Sequence, residues 1–187
     1  MNKNTLGGIL VGAMLALGWQ TSMAGEAGKT AAADLSRSAN ASLKQLYASV
    51  PEAKSLGSKA LAILVFPKVT KAGLGVGGQY GEGALLQKGK AVAYYNTAGA
   101  SVGLQAGAQQ YGYALFFMNA KALGQLDKAE GFEVGIGPTV VVVDEGMAKS
   151  LTTTTMKDDI YAFIFGQKGL MVGLGIQGNK ITKINPK

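Results

Sequence analysis

Small residues alternate with larger apolar residues in four segments of this chain, and this pattern limits the fold more than any other feature. The segments are 73–78 (GLGVGG), 101–108 (SVGLQAGA), 133–138 (EVGIGP) and 172–178 (VGLGIQG). On a β-strand, successive side chains point to opposite faces, so each segment would have one nearly bare face and one apolar face. A bare face lets another backbone approach closely, or lets the sheet bend sharply. A helix, a second strand or a lipid would each fit against it.

Helical patterns occupy the chain before residue 60, and strand patterns fill most of the chain from residue 60 onward. The run at 60–67 (ALAILVFP) predicts a buried strand that its proline closes. Residues 88–90 (KGK) indicate a hairpin turn, and further turns are predicted at 167–169 and 178–180. Residues 120–130 (AKALGQLDKAE) predict a mid-chain helix. The predicted fold class is α+β, with a strongly curved antiparallel sheet or barrel-like β core, N-terminal helices and one mid-chain helix.

Residues 73–78 also match the G-x-G-x-x-G pattern of dinucleotide-binding proteins letter for letter. That fingerprint needs a helix directly after the glycines and an acidic residue about 20 positions further on. Here the glycines in 79–87 (QYGEGALLQ) disfavour a helix, and 93–98 (AYYNTA) contains no carboxylate. The context therefore excludes a nucleotide site, and we interpret these residues as strand glycines.

The 187-residue chain contains no cysteine and no histidine. This excludes disulfides, thiolate zinc sites, cysteine nucleophiles and a Ser-His-Asp triad, and it removes the commonest ligands of zinc, copper and iron. We therefore predict no cofactor and no enzymatic activity. A hydrolase or metal site would depend on scattered carboxylates, of which Asp158 and Asp159 are weak candidates. A solvated turn is the simpler interpretation of that pair.

The N-terminus has the three parts of a secretory signal. Lys3 supplies a positive charge, 6–17 (LGGILVGAMLAL) is an apolar run of the right length, and 22–24 (SMA) places small residues at the cleavage positions. The alternative, a membrane anchor, fits less well because the run is short for a bilayer core of about 30 Å. We predict a signal peptide over 1–24 and an exported protein that is periplasmic, envelope-associated or secreted.

The predicted mature protein begins with a flexible linker at 25–33, and a single domain follows over 34–187. Asp34 is a suitable N-cap for a helix, and Pro51 suits the first turn of a second one. The first helix carries an apolar stripe of Leu35, Ala39, Leu43, Leu46 and Tyr47. Packing against the domain is the simpler role for this stripe, and a membrane-surface helix is the alternative.

Lysines supply most of the positive charge of the chain, whose net charge is +7. Several lie at predicted turns, where they would meet anionic headgroups if they shared one face. Ordinary solubilising charge is the other interpretation, and the sequence leaves both open. The lipid-binding candidates are Lys59, Lys68, Lys71, Lys88, Lys90 and Lys168. The aromatic residues Tyr94, Tyr95, Tyr111, Tyr113, Phe116 and Phe117 are expected in the core, with a ligand-lining or membrane-interface role as the alternative.

Three blocks resemble the SYLF-domain family, in the order in which that family has them. They are KALAILVFPKVTKAGLGVGGQYGEGALL from Lys59, NTAGASVGLQAGAQQYGYALFFMN from Asn96, and IYAFIFGQKGLMVGLGIQGNKI from Ile160. Eukaryotic members of this family are lipid-binding modules that prefer phosphoinositides, and some bind actin filaments. This chain departs from them at Gly166, where an arginine is common, and at Gly112, where an aspartate is common.

The resemblance implies a non-enzymatic module that binds anionic phospholipid or a membrane surface. Nucleic acid is not expected as a partner, and neither is actin, because an exported bacterial-type protein does not meet it. The alternative function is a structural or adaptor protein of the envelope that acts through protein–protein contacts at an exposed strand edge or the N-terminal helix.

Overall fold

A computed structural model describes residues 16–143, 157–169 and 178–186 of the chain. Helices α1 (Ala16–Ser49) and α2 (Pro51–Gly57) precede the long strands β1 (Ala62–Gln87) and β2 (Lys90–Phe117). Helix α3 (Ala120–Leu123) runs into a 3-10 turn (Gly124–Asp127). The remaining described strands are β3 (Phe132–Glu133), β4 (Val140–Val143), β5 (Ile160–Gly169) and β6 (Lys180–Ile184). The expected α+β fold with a curved sheet is confirmed, and the sheet curls like half of a barrel.

Strand β2 is the centre of the sheet. It pairs with β1 along one side, from Gln87–Lys90 at the hairpin to Ala62–Phe117 at the far end. On its other side it pairs with β6 near its start and with β5 near its end. These pairings are antiparallel, whereas the edge strand β4 is parallel to β5, so the sheet is mixed. The predicted turn at 88–90 is confirmed, because Lys88 and Gly89 have φ of 50° and 78°, as two-residue hairpin loops require.

Strand β1 folds back on itself, and its glycines allow the close approach. A Cβ on Gly83 would lie 2.5 Å from the Val65 carbonyl oxygen, and one on Gly81 would lie 2.7 Å from the Lys68 carbonyl oxygen. Gly75, with φ of 75°, lies in the bend between the two halves. The bare side of β1 at Gly81 and Gly83 therefore packs against an earlier part of the same strand. Within segment 73–78, a Cβ on Gly73 would meet the Val76 carbonyl oxygen at 2.8 Å, whereas one on Gly78 would make only an ordinary contact of 3.8 Å.

The two faces of the sheet bury separate apolar cores. The concave face holds inward residues of β1 and β2 such as Leu64 and Leu115, closed off by Leu126 and Phe132. The other face is covered by α1 and α2 and holds the alternate residues, such as Val65. The tyrosines and phenylalanines at 111–117 are buried, which confirms their expected place in the core.

Helix α1 packs through the predicted stripe, since Ala39, Leu43 and Leu46 are buried against the sheet. The predicted linker at 25–33 is wrong, because these residues continue α1, and Asp34 lies inside the helix rather than at its cap. The physical reason is the alanine content of this stretch, as alanine has the highest helix propensity. None of the described helices has the length and apolarity needed to cross a membrane.

Several local predictions need correction. Pro67 does not end its strand, because it lies in a bulge where no ladder hydrogen bond is lost. Segment 133–138 is mostly turn, since Gly135 and Gly137 have φ of 98° and 93°, outside the strand region. The helix predicted at 120–130 is only α3 and the 3-10 turn. Residues 167–169 continue β5 instead of forming a turn. Segment 172–177 lies outside the described residues.

Candidate functional site

An apolar groove lies between α1 and the hairpin end of the β1–β2 ribbon. Its volume is about 350 Å³, within the range of about 300–1,000 Å³ that is usual for small-molecule sites. Leucine, isoleucine, alanine and tyrosine side chains supply most of its walls. The lining residues are Asn40, Leu43, Lys44, Tyr47, Gly57, Ala60, Leu61, Ala62, Ile63, Leu86, Lys88 and Gly89. We call this cavity the α1 groove.

Among the residues that the structure describes, two lysines are the only charged ones that line the α1 groove. Lys44 comes from the exposed side of α1, and Lys88 comes from the hairpin turn. Lys90, the first residue of β2, is exposed directly after the turn. Leu61 also lines the groove and is 50% exposed, so apolar surface reaches the solvent beside these charges. A groove with apolar walls and a cationic rim can accommodate an acyl chain whose headgroup is anionic.

The other lysine candidates lie in different places. Lys59 is exposed one residue before the groove-lining Ala60, and Lys68 lines a separate cavity beyond α1. Lys71 is only 4% exposed, on the concave face beside Gln109, where a headgroup cannot reach it. Lys168 is on β5 opposite Gln110, but its side chain lies outside the described residues.

The concave face is polar at one end, where a network of side-chain hydrogen bonds connects β1, β2 and the residue before β6. The Tyr111 hydroxyl donates to Gln79 Oε1 at 2.5 Å, and Gln79 Nε2 donates to Asn179 Oδ1 at 2.5 Å. The Tyr113 hydroxyl donates to Thr97 Oγ1 at 2.6 Å. Burial raises the pKa of Tyr111 to about 12, and it raises the pKa of Tyr113 as well. These phenols therefore stay protonated and act as neutral hydrogen-bond donors.

The two weak metal candidates have a structural role. The Asp159 carboxylate accepts hydrogen bonds from Asn119 Nδ2 at 2.7 Å and from the Thr139 backbone N–H at 3.0 Å. It thereby joins the start of α3 to the segment before β4 and to β5. Asp158 contacts the Tyr161 hydroxyl at 3.4 Å. Within the described residues, no three acidic side chains come close enough together to hold a metal ion.

The hydrogen bonds to Asp159 predict a pH dependence of stability. They favour the charged carboxylate, so they lower its pKa in the folded protein. The resulting stabilisation is complete above the unfolded pKa of about 4 and is lost as the pH falls through the lower folded pKa. We expect Asp159→Asn to lower stability at neutral pH and to flatten its decrease between about pH 5 and pH 3.

Urea unfolding of the two proteins across this pH range measures the effect. Asp158→Asn is the matched control, because within the described part of the chain the Asp158 carboxylate makes only the long contact with the Tyr161 hydroxyl. Parallel pH profiles for wild type and Asp159→Asn would contradict the assigned role.

Lys44 is not among the lipid-binding candidates that were predicted from the sequence. The apolar stripe around it, with Ala39, Leu43 and Leu46, did indicate which side of α1 meets the sheet. Its neighbour Lys88 is 44 positions away along the chain. No local pattern in the sequence brings these two residues together.

One comparison with known protein families gives a match. A family model described as "Ysc84: Las17-binding protein actin regulator" matches residues 98–186. The matched range includes most of β2 and all the elements that follow it, and it excludes β1 and both N-terminal helices. No curated protein matches the chain.

Proposed function

Because residues 98–186 belong to the SYLF (Ysc84) family, which is associated with lipid-binding and actin-binding modules, we propose that this protein is a non-enzymatic module that binds anionic phospholipids at the cell envelope. The observation that carries the proposal is the α1 groove, which has apolar walls and a rim with two lysines.

The walls of the groove suit an acyl chain. Leu61, Ile63 and Leu86 line it, and Tyr47 borders it from α1. Each methylene moved from water onto such a surface contributes about 0.8 kcal/mol. Part of one chain in the groove would therefore contribute several kcal/mol relative to water, so a chain could leave the bilayer core for the groove at little net cost.

The rim suits a phosphate headgroup. Lys44 and Lys88 approach the groove from two elements, and Lys90 extends the positive surface. No aspartate or glutamate of the described residues lines the groove. Each lysine near an anionic surface contributes about 1 kcal/mol, and this contribution falls as salt screens it.

A vesicle-binding experiment tests the proposal. The protein, purified from the envelope and with its N-terminus determined by intact mass, is sedimented with phosphatidylcholine vesicles and with vesicles that also contain phosphatidylglycerol. We expect binding to the anionic vesicles that weakens as salt is raised. Leu61→Asp places a charge in the groove wall, and we expect it to weaken binding about tenfold or more.

Val92→Asp is the matched control for Leu61→Asp. Val92 is an apolar strand residue that is 53% exposed, but it does not line the groove. Equal binding by the two variants would show that the groove is not used. Absence of wild-type binding to anionic vesicles at low salt would overturn the proposed function itself.

We also propose that the chain is exported and loses residues 1–24, so that it meets envelope lipids rather than actin. The support is the sequence of the leader, with its Lys3, its apolar run and its small residues before Gly25. The intact mass of the purified protein tests this directly, because retention of the leader would add its residues to the measured mass.

The alternative function, an adaptor between envelope proteins, is favoured by one observation. Strand β4 is at the edge of the described sheet, with Val142 38% exposed, and exposed edges can pair with another chain. Recovery of one specific protein partner from lipid-free extract, together with no vesicle binding, would favour the adaptor.

A further inference from the structure

Two strands bulge at the same level of β2, beside α1. Between Phe66 and Val69, β1 has one more residue than the segment of β2 that it pairs with. Between Phe165 and Lys168, β5 likewise has one residue more than β2. Both irregularities flank Gly112. Bulges of this kind re-aim side chains and are frequent beside functional sites.

The bulge in β1 changes the direction of Lys68. Phe66 lies in the concave core, so strict alternation would direct residue 68 into the same core. Because of the extra residue, Val69 takes that inward position, and Lys68 is exposed on the side of α1. The extra residue thus keeps a charged side chain out of the core and brings it to a cavity beside the helix.

That cavity, which we call the α1 pocket, has a volume of about 230 Å³ and is mostly polar. Lys68, Gln110, Ser42 and Gln45 line it, the last two from successive turns of α1. Within the part of the chain that the structure describes, no hydrogen bond or ion pair occupies the side chains of these four residues. No acidic residue of the described chain lines the pocket.

Two glycines complete the α1 pocket. Gly166 lies in the bulge of β5 with φ of 62°, and a Cβ there would have no atom within 4 Å. A Cβ on Gly112 would lie 2.7 Å from Cζ of the Phe165 ring, so the ring lies directly across this glycine. Gly166 therefore leaves this edge of the pocket open to a small polar group, whereas Gly112 makes room for the Phe165 ring that forms part of the wall.

We infer that the α1 pocket binds a phosphate group, either free in a small molecule or carried by a lipid. The ammonium of Lys68, the hydroxyl of Ser42 and the amides of Gln45 and Gln110 offer several donors around one cavity, and phosphate oxygens accept such hydrogen bonds. The pocket is separated from the α1 groove by the helix itself, so this inference does not rest on the proposed function.

Solution binding of inorganic phosphate and of glycerol 3-phosphate tests the inference. Amide chemical shifts of the protein are followed while either anion replaces chloride at constant ionic strength. We expect saturable shifts at Gly112 and Gly166. Lys68→Gln removes the charge and is expected to weaken binding about tenfold or more. Ser42→Ala removes one neutral donor, and a smaller loss is expected.

Lys54→Gln is the control for Lys68→Gln, because Lys54 is an exposed lysine of α2 that does not line the pocket. The same variants are then sedimented with phosphatidylglycerol-containing vesicles. Weaker binding of free phosphate by Lys68→Gln alone assigns a small phosphate-bearing molecule. Weaker vesicle binding by Lys68→Gln, without a response to free phosphate, assigns a lipid headgroup.

Two results would overturn the inference. One is the absence of any difference between Lys68→Gln and Lys54→Gln in both the phosphate and the vesicle measurements. The other is a phosphate response that survives Lys68→Gln but disappears when Lys44 and Lys88 are neutralised, since it would place the anion at the α1 groove. If free phosphate binds while the wild type ignores vesicles, the pocket stands and the proposed lipid function fails.

Discussion

Gly83→Ala is expected to destabilise the protein by about 3 kcal/mol or more, because the new methyl group would collide with the opposite half of the same strand. The added Cβ would lie 2.5 Å from the Val65 carbonyl oxygen and 2.7 Å from Cδ1 of the Phe66 ring. Val65 and Phe66 are both fully buried, so neither can move away without disturbing one of the two cores. The midpoint of urea unfolding, followed by circular dichroism, measures the change.

Gly78→Ala is the matched control, as it makes the same substitution in the same strand. Its Cβ would meet only the Gly99 carbonyl oxygen, at the ordinary contact distance of 3.8 Å. We expect a change within about 0.5 kcal/mol. If both variants kept wild-type stability, β1 would not cross itself at Gly83.

Neutralising both lysines of the α1 groove is expected to weaken binding to anionic vesicles about 30-fold, which corresponds to about 2 kcal/mol. The variant is Lys44→Gln with Lys88→Asn. Glutamine keeps the helix propensity at position 44, and asparagine tolerates the φ of 50° at position 88. The salt dependence of binding should decrease in parallel, because two screened interactions are lost.

The control carries the same change in net charge on the other side of the sheet. The control variant combines Lys121→Gln in α3 with Lys128→Gln directly after the 3-10 turn, and both lysines are exposed. The apolar residues of α3 and of this turn pack on the concave core. Vesicle sedimentation of both variants at one salt concentration compares them. Equal weakening would mean that overall charge, rather than the rim of the groove, attracts the protein to the membrane.

Features that depend on nearby residues could be predicted from the sequence. The stripe of α1 follows from helix geometry, and Ala39, Leu43 and Leu46 are buried as expected. The turn at Lys88 and Gly89 follows from the need for positive φ in a two-residue loop. The predicted curvature of the sheet follows from alternating glycines, since Gly81 and Gly83 leave room for a backbone.

The positions of the lysines could not be predicted, because they depend on the register between strands. One extra residue near Pro67 reverses the inward alternation, so Val69 and Lys71 point to the concave face and Lys68 does not. A bulge of this kind is visible only once the partner strand is known. For the same reason, nothing in the sequence indicates that Gly166 borders a cavity with Ser42.

Helix α1 is a common wall of two cavities. Ser42 and Gln45 face the α1 pocket, whereas Lys44 and Tyr47 face the α1 groove. The helix is held to the sheet by its apolar stripe and by a hydrogen bond of 2.8 Å between the Ser36 and Tyr94 hydroxyls. A ligand that shifts or rotates this helix on one side therefore reshapes the binding surface on the other side. By thermodynamic linkage, ligands at the two proposed sites would then change each other's affinity by the same factor, and α1 would connect them.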